Sequence, residues 1–262
     1  MTLGEKLKIA HALKDLNVNV IEAGFAAASP GDFEAVNTIA KEIEGPTICT
    51  LARCNPDDIE QAHKALEVNP NRRIHVFVAT SEIHLKHKLN MAKEEVLKAA
   101  YEGVKMAKEF CDNVEFSPED ASRTDHDFLT EVVNAAIDAG ATTINIPDTV
   151  GYTIPYEFGE LFSHLITNCE NTENVVFSVH CHDDLGLSVA NSLAALESGA
   201  RQVECTINGI GERAGNTSLE EVCMAVKTRK EYFDFHTSIA VSYTHLRAHE
   251  TLRYLVCRLL LE

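Results

Sequence analysis

Apolar positions along this chain switch repeatedly between a helical spacing and short runs. Leu3, Leu7, Ala10, Leu13 and Leu16 can share one face, so residues 3–16 read as an amphipathic helix. A turn and strand follow over 17–25, with Val18, Val20 and Ile21 ahead of Ala23-Gly24-Phe25. Ser29-Pro30-Gly31-Asp32 reads as loop, with Asp32 the N-cap of a helix over 33–43 that Gly45-Pro46 breaks. The alternation then repeats. Strands are predicted over 47–52, 73–80, 113–117, 142–147, 174–182 and 201–207. Helices are predicted over 55–66, 93–110, 125–139, 155–166, 187–198 and 218–233.

The result is seven strands, each followed by a helix, behind a leading helix. Strict β-α alternation implies a parallel sheet. A leading helix calls for a strand ahead of it, and adding one gives eight βα units over roughly 250 residues, the size of a TIM barrel. The expected fold is α/β: a TIM (β/α)8 barrel lacking its first β-strand. A doubly wound open sheet is the rival. No linker or shift of composition divides residues 1–239. Residues 240–262 differ in texture, being basic and histidine-rich, and continue no βα unit. Their apolar end, Leu255 to Leu261, reads either as a docking helix or as part of a foreign terminus; an unrelated or artefactual tail is the expectation.

Charge and cysteine content narrow the partners. A formal charge of −17 lacks the basic face that nucleic acids and anionic membranes require, so neither is an expected partner. No apolar run approaches the ~18–20 residues that span a bilayer. Met1 to Lys6 has no signal-peptide form, which makes the cytoplasm the expected location. Eight cysteines without a C-x-x-C pair read as reduced thiols, with Cys49, Cys111, Cys205 and Cys223 as small core residues.

Functional side chains of a TIM barrel gather where strands end. Here those positions hold Glu22 to Phe25, His75 and Thr80, Ser117-Pro118-Glu119-Asp120, Asn145 to Gly151, His180 and His182, and Asn208 to Asn216. His180 and His182 lie two apart on a strand and present both imidazoles to one side, a geometry that suits a divalent metal. Cys181, between them, should point away. Gly209-Ile210-Gly211-Glu212-Arg213-Ala214 fits the dinucleotide pattern G-x-G-x-x-A after a strand. The next helix does not open inside it, however. Thr217 or Ser218 reads as the N-cap, with Glu220 or Glu221 completing a capping box. The stretch is better read as a flexible loop that lets backbone and Asn216 approach a ligand closely.

Four motifs in order, Phe25 through Ser29-Pro30-Gly31-Asp32-Phe33, Asn145 to Gly151, Ser178 to Gly186 and Asn208 to Asn216, resemble the 2-isopropylmalate synthase family over residues 3–239. Homocitrate and citramalate synthases belong to the same acyltransferase group. The resemblance implies an acyltransferase TIM barrel over residues 1–239. It implies a divalent cation (Mn²⁺, Mg²⁺ or Zn²⁺) held by a first-strand Asp and by the counterparts of His180, His182 and Asn216. It places a 2-oxo acid against His75, Ser117, Glu119 and Thr149, with Glu119 also near the place for acid–base catalysis. Acetyl-CoA is the implied co-substrate, condensed with 2-oxoisovalerate to 2-isopropylmalate in leucine biosynthesis, and the intact protein is expected to be a homodimer. A sister synthase with another 2-oxo acid, or a non-catalytic metal-binding fragment, are the alternatives. The family's Asp-Thr-Thr-Leu-Arg-Asp-Gly-Glu-Gln type motif, which supplies a metal Asp and a catalytic Arg, has no counterpart here. The family's linker and leucine-binding domains have none either. A fragment truncated at both ends, with impaired activity, is therefore expected.

Overall fold

A computed structural model describes residues 1–239 and 256–260. Seven strands run parallel, each hydrogen-bonded to the next: β1 (Val20–Glu22), β2 (Thr47–Arg53), β3 (Arg72–Ala79), β4 (Val114–Glu119), β5 (Thr143–Asp148), β6 (Val176–Cys181) and β7 (Gln202–Cys205). The helices are α1 (Leu3–Asp15), α2 (Pro30–Glu42), α3 (Pro56–Leu66), a single turn α4 (Glu82–His84), α5 (Lys93–Phe110), α6 (His126–Asp138), α7 (Pro155–Asn168), α8 (Ser188–Glu197) and α9 (Leu219–Thr228). The βα alternation read from the sequence is therefore the fold: a TIM barrel with helices around a parallel sheet. No described helix is long and apolar enough to cross a membrane.

An eighth strand, β8 (Val256–Leu260), closes the barrel between β7 and β1, antiparallel to both. Val20 pairs with Arg258 on one side and Glu204 with Arg258 on the other. The backbone there is extended, so the docking-helix reading does not hold for residues 256–260. The rest of the expected tail, 240–255 and 261–262, lies outside the described residues.

Two helix ends differ from expectation. Ser29, not Asp32, caps α2: its hydroxyl accepts the Asp32 amide at 3.1 Å, and Pro30 occupies the first helical position. Proline's fixed φ and missing N–H favour that position, which starts the helix earlier than the apolar spacing does. Helix α9 stops at Thr228 rather than near 233. Beyond it Phe233 and Phe235 turn back and pack against each other in the core, their centroids 5.3 Å apart. The turn α4 and the π-helical turn Leu85–Leu89, ended by Asn90 at φ 52°, are too short to carry a recognisable apolar period and were not legible in the sequence.

Two layers of different chemistry sit back to back across the strands. Between sheet and helices lie Ile9, Leu13, Ile39, Leu66, Ile74, Phe116, Phe158 and Phe162, all buried. Inside the barrel lies a network of buried polar side chains. Arg73 on β3 reaches across to Gln202 on β7 at 2.8 Å and to Glu115 on β4 at 3.0 Å, and Gln202 donates to Ser178 on β6 at 2.9 Å. Strands β3 and β7 are not neighbours, so these side chains meet through the barrel interior. Two residues further along each strand stand His75, Ser117, His180 and Glu204.

Candidate functional site

Strand alternation carries the site's side chains to the C-terminal end of the barrel. His75 is hydrogen-bonded at both ring nitrogens: Nδ1 to Glu22 Oε2 at 2.8 Å, Nε2 to Ser117 Oγ at 2.6 Å. Ser117 also accepts the Asn145 side-chain amide at 2.8 Å. His180 Nδ1 lies 2.6 Å from Glu204 Oε2, and its Nε2 lies 3.1 Å from His182 Nε2. A lone β-bridge sets His182 opposite Asn216. The expected residues thus form two groups, His75 with Ser117 and His180 with His182 and Asn216.

Glu204 joins the groups. His75, Glu115 and Glu204 each offer a ligand atom within 4.8 Å of the others. That trio is already engaged in hydrogen bonds: Glu115 with Arg73 and Gln202, His75 with Glu22 and Ser117, Glu204 with His180.

Glu119 and Thr149 lie further out. Lys88, from the π-helical turn, donates to both Glu119 carboxylate oxygens at 2.6 and 2.8 Å. Thr149 Oγ accepts the Asp120 amide at 2.9 Å, which ties the loop after β5 to the end of β4.

The glycine stretch is tightly bonded, which differs from the flexible loop expected. Asn216 N–H donates to the Gly209 carbonyl at 2.8 Å, Asp183 N–H to the Gly215 carbonyl at 2.9 Å and Thr217 N–H to the Cys181 carbonyl at 3.1 Å. A Cβ on Gly211 would collide with Asn216 Oδ1, and Gly215 sits at φ +113° against the Gly209 carbonyl. The glycines are there for close approach and left-handed backbone. Arg213, itself at φ 54°, pins the loop: it donates to both Asp184 oxygens at 2.8 Å and to the Thr149 carbonyl at 2.9 Å. Ser218 caps α9, as one of the two residues proposed for that role. Cys181 is buried on the opposite face of β6, as alternation requires.

Burial sets the charge states. It pushes His182 down to about 4, helped by His180 and Arg213, and it pushes His180 down as well. Both imidazoles are therefore neutral at neutral pH, the form with a lone pair to donate. Burial, with Glu22 nearby, pushes the Glu204 carboxyl well above its usual range against the pull of Arg73.

The donor set fits a divalent cation. Two ligand atoms about 2.1 Å from one ion and at right angles stand about 3 Å apart, the spacing of the two Nε2 atoms. Asn216 Oδ1 and His182 Nδ1 are buried with no hydrogen-bond partner among the described residues. Buried polar atoms are nearly always satisfied, so an orphaned carbonyl oxygen on the residue bridged to His182 fits a cation ligand.

A family model described as HMGL-like matches residues 1–252. The chain belongs to the HMGL-like family. Enzymes of the HMGL-like family use a divalent metal. Curated relatives include the 2-isopropylmalate synthase of Hydrogenovibrio crunogenus, 59% identical over 239 residues that cover 91% of this chain and 46% of that protein. The 2-isopropylmalate synthase of Aquifex aeolicus is 59% identical over 240 residues, again 91% of this chain and 46% of that protein. The chain thus spans about half the length of the curated relatives it matches. Among solved structures, an HMG-CoA lyase from Pseudomonas aeruginosa superposes with a TM-score of 0.75 at 19% identity, covering 88% of this chain and 80% of that one. That likeness confirms the HMGL-like barrel as a fold.

Sequence reasoning placed Glu22 at a strand end without giving it a role, and it missed Glu204, Lys88 and the tether from Arg213 to Asp184. Glu204 had a signal: Gln202-Val203-Glu204-Cys205 alternates polar with apolar, as Arg73-Ile74-His75-Val76 does on β3. Strands of a parallel barrel, covered on both faces, ordinarily read as continuous apolar runs. Strict alternation there marks a polar interior.

Proposed function

We propose that this chain is the catalytic barrel of an acyltransferase that condenses acetyl-CoA with 2-oxoisovalerate to give 2-isopropylmalate and CoA. The observation that carries the reading is the pair of neutral imidazoles, His180 and His182, with Nε2 atoms 3.1 Å apart beside Asn216. It stands in a chain 59% identical to named 2-isopropylmalate synthases. His180, His182 and Asn216 would hold the cation, Mn²⁺, Mg²⁺ or Zn²⁺, which when bound supplies Lewis-acid polarisation of the 2-oxo acid.

The protein groups do the rest. His75, oriented by Glu22, and Ser117, oriented by Asn145, present polar atoms to the 2-oxo acid, with Thr149 on the far side of Ser117's strand. Glu119 is the acid–base residue in this reading. Lys88 donates to both of its carboxylate oxygens and so fixes the position of the side chain. Loss of a methyl proton from acetyl-CoA gives an enolate whose carbon bonds the ketone carbon, the ketone oxygen becoming an alcohol. Water then cleaves the thioester, leaving a carboxylate and the CoA thiol. The same reading makes the protein cytoplasmic and a homodimer when intact.

A second reading has its own support. The slot between β1 and β7 holds β8, antiparallel to both, where the family resemblance expects a strand carrying a metal Asp and an Arg. On that reading residues 1–239 are a barrel that binds the cation through three protein ligands and does not turn over, and residues 240–262 are an unrelated tail. The test is CoA thiol release from acetyl-CoA by the purified chain with Mn²⁺ and a series of 2-oxo acids. Turnover near ~1 s⁻¹ with 2-oxoisovalerate supports the first reading. Turnover with another 2-oxo acid assigns a sister synthase. Mn²⁺ uptake without thiol release supports the second reading.

A further inference from the structure

Two carboxylates hold imidazoles inside this barrel, and only one of those imidazoles belongs to the group that fits a cation. Glu204 and His180 are register partners on adjacent strands, β7 and β6. Their side chains enter the interior side by side, which brings Glu204 Oε2 to 2.6 Å from His180 Nδ1. The other ring nitrogen of His180 faces His182.

We propose that Glu204 is a positioning residue for cation binding: it accepts the Nδ1 proton of His180 and thereby directs the Nε2 lone pair toward His182 and Asn216. The argument is one of proton counting. A neutral imidazole carries a single N–H. With Nε2 as ligand, that proton is on Nδ1, and Glu204 Oε2, which keeps its lone pairs even when the carboxyl carries its proton on Oε1, is the atom placed to accept it. The contact fixes the rotation of the ring as well as its tautomer, and an acceptor at that nitrogen makes the imidazole a stronger donor. His182 has no such device. Its Nδ1 is buried with no partner among the described residues, so its ring is oriented by its strand end, by the bridge to Asn216 and by His180 itself. Of the two imidazoles, His180 is the one set in advance.

This inference rests on the cation reading above, and the test separates the two. Cation affinity of the full chain is measured calorimetrically with Mn²⁺ for wild type, Glu204→Gln, His180→Asn and the double variant, with circular dichroism to confirm folding. Wild type is expected to bind, and Glu204→Gln about 10–100-fold more weakly. In the His180→Asn background Glu204→Gln should add nothing, because its partner is gone; a residue that merely supports the barrel would weaken both backgrounds alike. A measurement on the unsubstituted chain guards against a variant that fails to fold. With Zn²⁺ bound, the His180 Nδ1 proton should give a far-downfield, exchange-protected NMR signal. Affinity of Glu204→Gln within twofold of wild type, or absence of that proton signal in the Zn²⁺-loaded chain, overturns the inference and leaves the cation reading standing. A wild-type chain that takes up neither ion overturns both.

Discussion

His75 and His180 are held alike at one ring nitrogen and differently at the other. Each has a carboxylate at Nδ1, Glu22 at 2.8 Å for His75 and Glu204 at 2.6 Å for His180. At Nε2 His75 meets the Ser117 hydroxyl, which can donate to it and still accept from Asn145. His180 meets another imidazole. A hydroxyl completes a chain of hydrogen bonds and leaves nothing over. Two facing imidazoles leave a lone pair that a single proton or a shared cation must satisfy. The same residue with the same carboxylate device therefore becomes a fixed polar wall in one place and a ligand in the other, and the third partner decides which.

The largest effect on this arrangement should come from the layer beneath both imidazoles. Arg73→Ala removes the guanidinium from beside the buried Glu115 carboxylate, and chemical denaturation should show a loss of about 3–5 kcal/mol. A paired Arg73→Met, Glu115→Leu variant should recover most of it. The next effect splits the two histidines. His180→Ala with His182→Ala should weaken Mn²⁺ binding on the order of 100-fold or more, whereas His75→Ala should change it less than about threefold. A comparable loss from His75→Ala would erase the distinction drawn between them.

Acid should act on the metal-free protein through His182 and, in the same direction, through His180. The folded His182 value of about 4 lies below the ordinary histidine value, so the unfolded chain takes up a proton first as pH falls. Stability is thus unaffected above the unfolded pKa and falls as pH drops toward 4. A loss on the order of 1–2 kcal/mol between pH 7 and 5 is expected from thermal melts, and His182→Gln should flatten the profile. The smallest effect belongs to the closed chain at His75. Ser117→Ala removes one link and should cost about 1–2 kcal/mol in denaturation while leaving Mn²⁺ affinity unchanged.

How much of this was visible in the chain follows from range. Helix and strand periods are local, and they place every parallel strand within a few residues. The His180–His182 pairing is local too, since strand alternation alone sends both rings one way. The roles of Glu22 and Glu204 are not local: each meets its histidine only after β1, β3, β6 and β7 have taken their registers. Lys88 reaches Glu119 from a turn too short to carry a recognisable apolar period. Strand β8 is the extreme case, because an isolated apolar stretch becomes a strand only where two edges are waiting for it.

That closure gives the molecule an order of assembly. Strands β1 to β7 pair with sequence neighbours, so the curved sheet can grow one βα unit at a time with short loops to close. The last seam is different, since it joins Val20 to Arg258, residues far apart in the sequence. A pairing of such long sequence separation is slow to form, and a local opening there is the expected outcome. The amides of β1 that face β8 should accordingly exchange with solvent by a local opening of the seam, well before those between β3 and β4.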